Sequence, residues 1–238
     1  MKIHSFESMG AVDGPGLRCV IFLQGCPIRC RYCHNPDTRP FAGGMEISGA
    51  ELRRRLNRMR EYFGSAGGVT VSGGEPLASP AVCSEILDIC REEKIHVAID
   101  TAGAFLDPGD RAEALSVAAR ADMLILDIKH PDPDVCARLT GRDNAGALAL
   151  LGQAEQTGQR VWIRHVVVPG WSADSGSLTQ LHRLVSPYKC VEKVELIAFH
   201  RLGCEKYEKM GLPYPMGDAA DLPPGEIEHW RNFYAALN

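Results

Sequence analysis

Residues 18–33 read Arg-Cys-Val-Ile-Phe-Leu-Gln-Gly-Cys-Pro-Ile-Arg-Cys-Arg-Tyr-Cys, so an apolar run leads directly into three closely spaced cysteines. The unbroken apolar centre, residues 19–23, is typical of a strand that is covered on both faces, as in a parallel sheet. Cys26, Cys30 and Cys33 follow with the spacing C-x3-C-x2-C. Three thiolates on one short loop can bind one metal centre, and sulfur ligands favour iron–sulfur clusters, zinc or copper(I). The first hypothesis is therefore a metal site at the end of this strand.

The number of cysteines on this loop limits the kind of centre that it can hold. A cubane of four irons normally has four cysteine ligands, whereas this loop offers three. One iron would then lack a protein ligand, and a substrate could bind there. The alternative is a non-catalytic zinc module in which His34, directly after Cys33, is the fourth ligand.

Downstream of the cysteine loop, strand-like and helix-like segments alternate. The apolar runs predict six strands, at residues 18–24, 68–72, 95–100, 123–128, 160–168 and 193–199. Helical periodicity and capping sequences separate them, and Ser48-Gly49-Ala50-Glu51 is one such capping box. This alternation implies parallel strands that are joined by right-handed crossovers.

Six such units suit a single α/β domain over residues 1–238, built as a partial (β/α)6 TIM-like barrel of parallel strands. Composition alone does not separate this barrel from a doubly wound open sheet. Residues 1–16 are polar and rich in glycine, which predicts a lead-in loop before the first strand. Residues 223–238 begin with two prolines and predict a final helix on the outside of the barrel.

Polar residues follow the predicted strands, at the ends where barrel enzymes carry their active sites. Each strand end has such a residue or pair: Cys26, Glu75, Asp100 with Thr101, Asp127 with Lys129, Arg164 with His165, and His200. Because parallel strands end at the same edge, these side chains are predicted to form one site at the mouth of the barrel.

Composition excludes several classes of function. The chain has 238 residues and a net charge of −4, so it lacks the electrostatic footprint of a nucleic-acid-binding protein. No segment approaches 18 uninterrupted apolar residues, and the N-terminal residues lack the apolar region of a secretory signal. We therefore expect no membrane span and a cytoplasmic location. The six cysteines outside the loop are predicted to be reduced thiols rather than disulfides.

The cysteine loop, with Tyr32 just before its third cysteine, resembles the signature of the radical S-adenosylmethionine (SAM) enzymes. Further blocks are similar to the pyruvate formate-lyase activating enzymes of that superfamily, and together they extend over nearly the whole chain. They comprise residues 7–18, His34-Asn35, Ser72-Gly73-Gly74-Glu75-Pro76, Leu126-Asp127-Ile128-Lys129, residues 161–164 and residues 166–171.

The resemblance implies both the cofactors and the reaction. Cys26, Cys30 and Cys33 would hold a 4Fe-4S cluster, and the open iron would bind the amine and carboxylate of SAM. Reductive cleavage of SAM would give a 5′-deoxyadenosyl radical, which abstracts the α-hydrogen of one glycine in pyruvate formate-lyase. Reduced flavodoxin is the implied electron donor.

The resemblance also implies roles for residues at the strand ends. The backbone of Gly73-Gly74-Glu75 would contact the methionyl amine of SAM, although glycines followed by proline also form ordinary turns. Glu75 itself would serve that contact or mainly hold the loop. Lys129 would bind the methionyl carboxylate. Asp127 and Asp100 would hold polar parts of SAM or a bound monovalent cation; a structural ion pair between Asp127 and Lys129 is the alternative.

Four other positions have both a functional and a structural interpretation. Tyr32 would pack near adenine or serve as a core aromatic residue. His200 would face the nucleoside or be structural. Asp13 and Arg164 would hold the protein substrate or stabilise the fold.

The choice among activases depends on one further feature. Residues 34–68 contain no cysteine, which favours the compact pyruvate formate-lyase type over activases that carry a cysteine-rich insertion. An activase of another glycyl-radical enzyme remains an alternative. Residues 1–16 and 201–217 are predicted to be the loops that open to admit the partner.

Overall fold

The computed structural model describes residues 1–105 and 108–237 and contains one eight-stranded sheet with helices packed against it. The strands are β1 (Lys2–Gly10), β2 (Arg18–Leu23), β3 (Met45–Glu46), β4 (Gly68–Gly73), β5 (Val97–Thr101), β6 (Met123–Asp127), β7 (Arg160–Val167) and β8 (Val191–Ala198). The α-helices are α1 (Gly49–Phe63), α2 (Pro80–Glu92), α3 (Arg111–Ala118), α4 (Pro133–Thr140), α5 (Ala145–Thr157), α6 (Ser175–Val185), α7 (Cys204–Lys209) and α8 (Pro224–Ala235).

The order of strands confirms the predicted partial barrel. The sheet runs β3-β1-β2-β4-β5-β6-β7-β8, and every neighbouring pair from β2 to β8 is parallel. These are the six predicted parallel strands. Within the described residues the sheet ends at β3 and at β8, so the barrel stays open along one side.

The prediction of a lead-in loop over residues 1–16 was wrong for most of that segment. Residues 2–10 form β1, which pairs antiparallel with β2 and with the two-residue strand β3. β2 follows β1 after a turn, and β3 lies further along the chain. Most of β1 is exposed or half-buried, so it carries several polar side chains. Its strand character therefore comes from pairing with β2, which a local pattern does not reveal. Two short helices, α4 and α7, were also missed.

The first predicted helix begins where its capping box indicated. The Ser48 hydroxyl accepts a hydrogen bond from the Glu51 amide, and Leu52, Leu56 and Phe63 of α1 are buried against the sheet. Pro80 opens α2. The final helix, α8, packs on β8 and α6, and Arg231 donates hydrogen bonds to the Leu196 carbonyl oxygen at 3.1 and 3.2 Å. Asn238, the last residue of the predicted helix, lies outside the described residues.

Alternation along the strands positions the site. Ala98, Met123 and Ile125 form a small cluster on the inner face of the sheet with Trp162, whereas Ile99 and Leu124 pack with the helices on the outer face. Successive side chains of a strand point to opposite faces, so residues two positions further along lie on the inner face again. These residues are Asp100, Asp127 and Arg164. None of the described helices is long and apolar enough to span a bilayer.

Candidate functional site

The three cysteines of the loop after β2 line one cavity of about 250 Å³. Cys26 and Cys30 are buried and Cys33 is half-buried, and none of them forms a disulfide. The loop is fixed by its backbone, since the Cys26 amide donates to the Arg39 carbonyl at 3.1 Å and the Cys33 amide donates to the Cys30 carbonyl at 3.2 Å. Burial raises the pKa of the Cys26 and Cys30 thiols to about 12. A metal that binds here must therefore displace thiol protons.

The arrangement of His34 bears on the zinc hypothesis. Its Nε2 donates to the His200 carbonyl oxygen at 2.9 Å, and the two imidazole rings stack with centroids 4.1 Å apart. Over residues 1–105 and 108–237, no three His, Cys, Asp or Glu side chains are grouped as ligands of a single metal ion. The cysteines of a cubane bind different irons and need not meet at one point. The geometry thus gives the zinc module no support.

The glycines after β4 are required by close contact with the cysteine loop. A Cβ on Gly73 would lie 2.3 Å from the Leu23 nitrogen, and one on Gly74 would lie 2.1 Å from the Gly25 oxygen. The amides of Gly74 and Glu75 donate to the carbonyls of Leu23 and Gly25, both at 2.9 Å. These amides already donate hydrogen bonds within the protein. A ligand amine at this segment would therefore bind to its carbonyl oxygens. Both glycines line the cavity.

Glu75 is a buried junction between two loops at the mouth of the barrel. Its carboxylate accepts hydrogen bonds from the amides of Leu77 at 3.1 Å, Ala102 at 3.0 Å and Ala104 at 3.4 Å, and from the Thr101 hydroxyl. Burial raises its pKa to about 7, although these hydrogen bonds act in the opposite direction. Glu75 lines the cavity, but its carboxylate oxygens accept hydrogen bonds from the protein itself. Its role is therefore to position the loops after β4 and β5.

Two acidic residues and one lysine lie on the inner face at the ends of β5 and β6. Lys129 Nζ donates to the Asp127 carboxylate at 2.6 Å. Burial lowers the pKa of Lys129 and Asp127 raises it, and the net direction is upward. Asp100 accepts from the Ser72 hydroxyl at 2.8 Å, and burial raises its pKa despite the nearby guanidinium of Arg164. All three line the cavity, with Lys129 just beyond the strand rather than within it.

Tyr32 and His200 close another side of the cavity. The Tyr32 ring is buried among Leu139, Val168 and Phe199, and its face is 6.0 Å from Lys129 Nζ. It therefore packs as a core aromatic residue, and it also lines the cavity. His200 follows β8, and its ring stacks on His34 at the edge of the same cavity.

Arg164 joins this cavity to a larger one. It lines both the cysteine cavity and a cavity of about 910 Å³ that runs along β8 and α8 and contains Asp13. Its guanidinium donates to the Val12 carbonyl at 2.7 Å and lies 3.5 Å from the carboxylates of Asp100 and Glu195. Burial raises the pKa of Asp13, and Arg164 lowers it, with a net upward direction. Asp13 is thus in the neighbouring cavity and does not line the cysteine cavity.

Comparison with known proteins identifies the family. The Radical SAM superfamily profile matches residues 20–181. A pyruvate formate-lyase-activating enzyme of Clostridium pasteurianum is 47% identical over 91% of this chain and 90% of its own length. One from Staphylococcus epidermidis is 38% identical over 99% of this chain and 94% of its own length. The chain belongs to the pyruvate formate-lyase-activating enzymes of the radical SAM superfamily.

Solved structures of radical SAM enzymes share the fold of this activating enzyme family member at low identity. A domain of a pyruvate formate-lyase-activating enzyme from Bacteroides vulgatus has a TM-score of 0.56 at 19% identity, and covers 72% of this chain and 94% of its own. A radical SAM methyltransferase from Sphaerobacter thermophilus has a TM-score of 0.62 at 17% identity, and covers 93% of this chain and 64% of its own.

The residues of this radical SAM protein fit a 4Fe-4S cluster and SAM. Three free thiols supply sulfur ligands on one loop, and polar groups surround the rest of the cavity. Among the described residues that line it, four polar atoms are buried without a hydrogen-bond partner: Tyr32 Oη, Asp100 Oδ1, Arg164 Nε and His200 Nδ1. Buried polar atoms normally have partners, so a polar ligand in this cavity would satisfy them.

Sequence reasoning missed two contributors to the site of this activating enzyme family member. The Ser72 hydroxyl donates to Asp100, and Glu195 faces Arg164. Thr101, which was predicted at its strand end, donates to Glu75. Ser72 stands at a strand end, and period-two alternation would have placed it near the inner face. Glu195 lies in the middle of β8, and only the register Arg164 to Glu195 brings the two together.

Proposed function

We propose that this chain activates pyruvate formate-lyase by creating a glycyl radical in it. The observation that carries the proposal is the shared cavity: three free thiols, the Asp127–Lys129 pair and unpaired polar atoms line one space at the carboxyl ends of the parallel strands. In a member of this family, that combination matches the needs of a cluster and SAM together.

The protein groups have separable tasks toward these cofactors. Cys26, Cys30 and Cys33 would hold the cluster, which leaves one iron for SAM. When bound, the cluster and SAM supply the chemistry, a one-electron cleavage that yields a 5′-deoxyadenosyl radical. Lys129 offers a buried cation for the methionyl carboxylate, held by Asp127 at 2.6 Å.

The remaining polar groups would fix the rest of SAM. Carbonyl oxygens of the Gly73–Gly74 segment can accept from the methionyl amine, because Glu75 holds this segment against the loop after β5. His200 and Tyr32 line the same cavity and would contact the nucleoside. Asp100, with an unpaired Oδ1, could bind a polar part of SAM or a monovalent cation with Asp127.

The larger cavity is where the partner's glycine segment would approach. It has a volume of about 910 Å³, is bounded by β8, the last strand of the sheet within the described residues, and meets the cysteine cavity at Arg164. Arg164 and Asp13 would contact the backbone of that segment, since a guanidinium donates and a carboxylate accepts hydrogen bonds. The side chains around the mouth would keep water from the radical.

The experiment is an anaerobic reconstitution with iron and sulfide, followed by reductant, SAM and pyruvate formate-lyase. We expect a glycyl signal in electron paramagnetic resonance and one 5′-deoxyadenosine formed per glycyl radical. Reduced flavodoxin is the proposed physiological reductant. A signal only with another glycyl-radical enzyme would reassign the partner, and no signal with any of them would refute the function.

A further inference from the structure

The cysteine loop carries two exposed cations, one on each side of a buried cysteine. Arg29 and Arg31 are exposed, whereas Cys30 between them is buried and lines the cavity. The arginines therefore face solvent where Cys30 faces inward. A single layer of loop residues therefore separates this surface from the cavity.

The end of α4 extends the same basic surface. The Arg29 amide donates to the Thr140 carbonyl at 2.7 Å, and the Arg31 amide donates to the Leu139 carbonyl at 2.9 Å. Gly141 follows, and a Cβ placed on it would be 3.8 Å from the Arg29 Cβ. Arg138 is exposed in the last turn of α4, the same helix end that accepts hydrogen bonds from the amides of the two loop arginines.

Trp171 borders this surface on the other side. The Arg31 guanidinium lies 5.7 Å from the centroid of the Trp171 ring and donates to the Pro215 carbonyl at 2.9 Å. Arginine and tryptophan are enriched in protein interfaces. These contacts also hold the Arg31 side chain in one place, which reduces the entropy lost when a partner binds.

The local charge is opposite to that of the whole protein. The chain has a net charge of −4, so an acidic protein is repelled by its average surface. Asp134 and Asp143 are exposed near the two ends of this region and oppose the arginines in part. The cations are nevertheless concentrated on the cysteine loop and on the helix end paired with it, where they would orient an acidic partner.

We propose that the surface formed by Arg29, Arg31, Arg138 and Trp171 docks an acidic one-electron donor protein. This inference rests on the proposed function, because only a chain that holds a redox cluster at the three cysteines needs such a donor. The donor loses one electron and the cluster gains it, so no bond or proton changes at this surface. The large cavity on the β8 side stays free for the protein substrate.

The test uses the reconstituted protein, a purified flavodoxin and two double variants of equal charge. Arg31→Glu with Arg138→Glu alters the surface, while Arg58→Glu with Arg183→Glu changes exposed residues of α1 and α6. Arg29 is left intact because its guanidinium donates to the Cys26 and Ile28 carbonyls. The iron content of each variant is measured first. If the double variant does not hold the cluster, the single variant Arg138→Glu replaces it in the measurements.

Two measurements follow: the Kd for oxidised flavodoxin at low ionic strength, and the rate of cluster reduction by reduced flavodoxin or by photoreduced deazaflavin. We expect the surface variant to weaken binding and slow the flavodoxin reaction by about tenfold or more, since close interfacial charges strongly affect association. The rate at which deazaflavin reduces the surface variant should change by less than about twofold. The control variant's Kd for flavodoxin and its rate of reduction should also change by less than about twofold.

Flavodoxin binding and reduction at wild-type levels in the surface variant would overturn the docking proposal. Failure of the proposed function has a different signature: deazaflavin-reduced wild-type protein would give no glycyl radical with SAM and pyruvate formate-lyase. The two outcomes are independent, because deazaflavin bypasses the docking surface.

Discussion

The carboxylate of Glu75 accepts a hydrogen bond from the Ala102 amide at 3.0 Å and thereby ties the loop after β4 to the loop after β5. Both loops contribute to the cysteine cavity. One buried side chain thus sets the distance between two walls of the site.

Glu75→Gln tests this junction. The new amide group would face backbone N–H groups that need acceptors, and a buried polar group without a partner costs about 1–3 kcal/mol. We expect the free energy of unfolding of the cluster-free protein, measured in urea, to fall by about 2 kcal/mol. Glu85→Gln, on the exposed face of α2, should change it by less than about 0.5 kcal/mol. Equal stability of Glu75→Gln and wild type would contradict the role assigned to Glu75.

Cys30→Ala should abolish cluster binding and radical formation together. With two thiolates left, the loop lacks a ligand that each activity requires. Iron and sulfide content, visible absorption and the glycyl signal measure the loss. Cys190→Ala, which alters a half-buried thiol that does not line the cavity, should keep the cluster and the activity. A colourless Cys30→Ala protein that still forms the radical would rule out the cluster assignment.

Lys129→Met separates ligand binding from a structural ion pair. It leaves Asp127 without its partner, and breaking a partly buried pair costs about 3 kcal/mol of stability. Adding Asp127→Asn removes the uncompensated charge, so the double variant should regain most of that stability. SAM affinity, measured by equilibrium binding to the reconstituted protein, should stay at least about tenfold weaker in both variants. Recovery of SAM affinity in the double variant would show that the pair is only structural.

Gly74→Ala should destabilise the protein because of a backbone contact. The added Cβ would lie 2.1 Å from the Gly25 oxygen, a distance that forces the cysteine loop to move. We expect a loss of at least about 2 kcal/mol in the free energy of unfolding. Gly152→Ala, within α5 and with nothing near its Cβ position, should instead stabilise by about 0.5–1 kcal/mol. Thermal unfolding of both variants provides the comparison, and a neutral Gly74→Ala would disprove the close approach.

The burial of His165 leads us to expect that the folded protein loses stability in acid. Its imidazole is buried, its Nδ1 donates to the Ile128 carbonyl at 2.7 Å, and burial lowers its pKa to about 4. The unfolded chain binds the proton near pH 6.5, so between pH 6.5 and 4 the unfolded state holds more protons than the folded state. Stability therefore falls as the pH falls through this window, by about 3 kcal/mol from this residue.

The measurement is the free energy of unfolding at a series of pH values. His165→Asn, which can still donate to the carbonyl, should have a flatter profile between pH 6.5 and 4. His229→Asn, at an exposed position of α8, should leave the profile unchanged. Parallel profiles of His165→Asn and wild type would show that His165 does not titrate as proposed.

The sequence alone determined the cysteine loop and the six parallel strands, and its resemblance to a known family favoured the partial (β/α)6 barrel over a doubly wound sheet. The loop and the strands depend on local spacing: C-x3-C-x2-C, capping at Ser48 and apolar runs that repeat along the chain. The same spacing placed Asp100, Asp127 and Arg164 at the carboxyl ends of their strands, and alternation then put them on one face.

Only the tertiary structure decided which of these residues contact one another and which cavity each of them lines. Pairing with β2 makes residues 2–10 a strand, and packing against Leu23 and Gly25 explains the two glycines. The register of β7 on β8 brings Glu195 to Arg164. Asp13 lies in the larger cavity and does not line the cysteine cavity. These relationships join residues that are distant in the chain, so a local pattern carries no record of them.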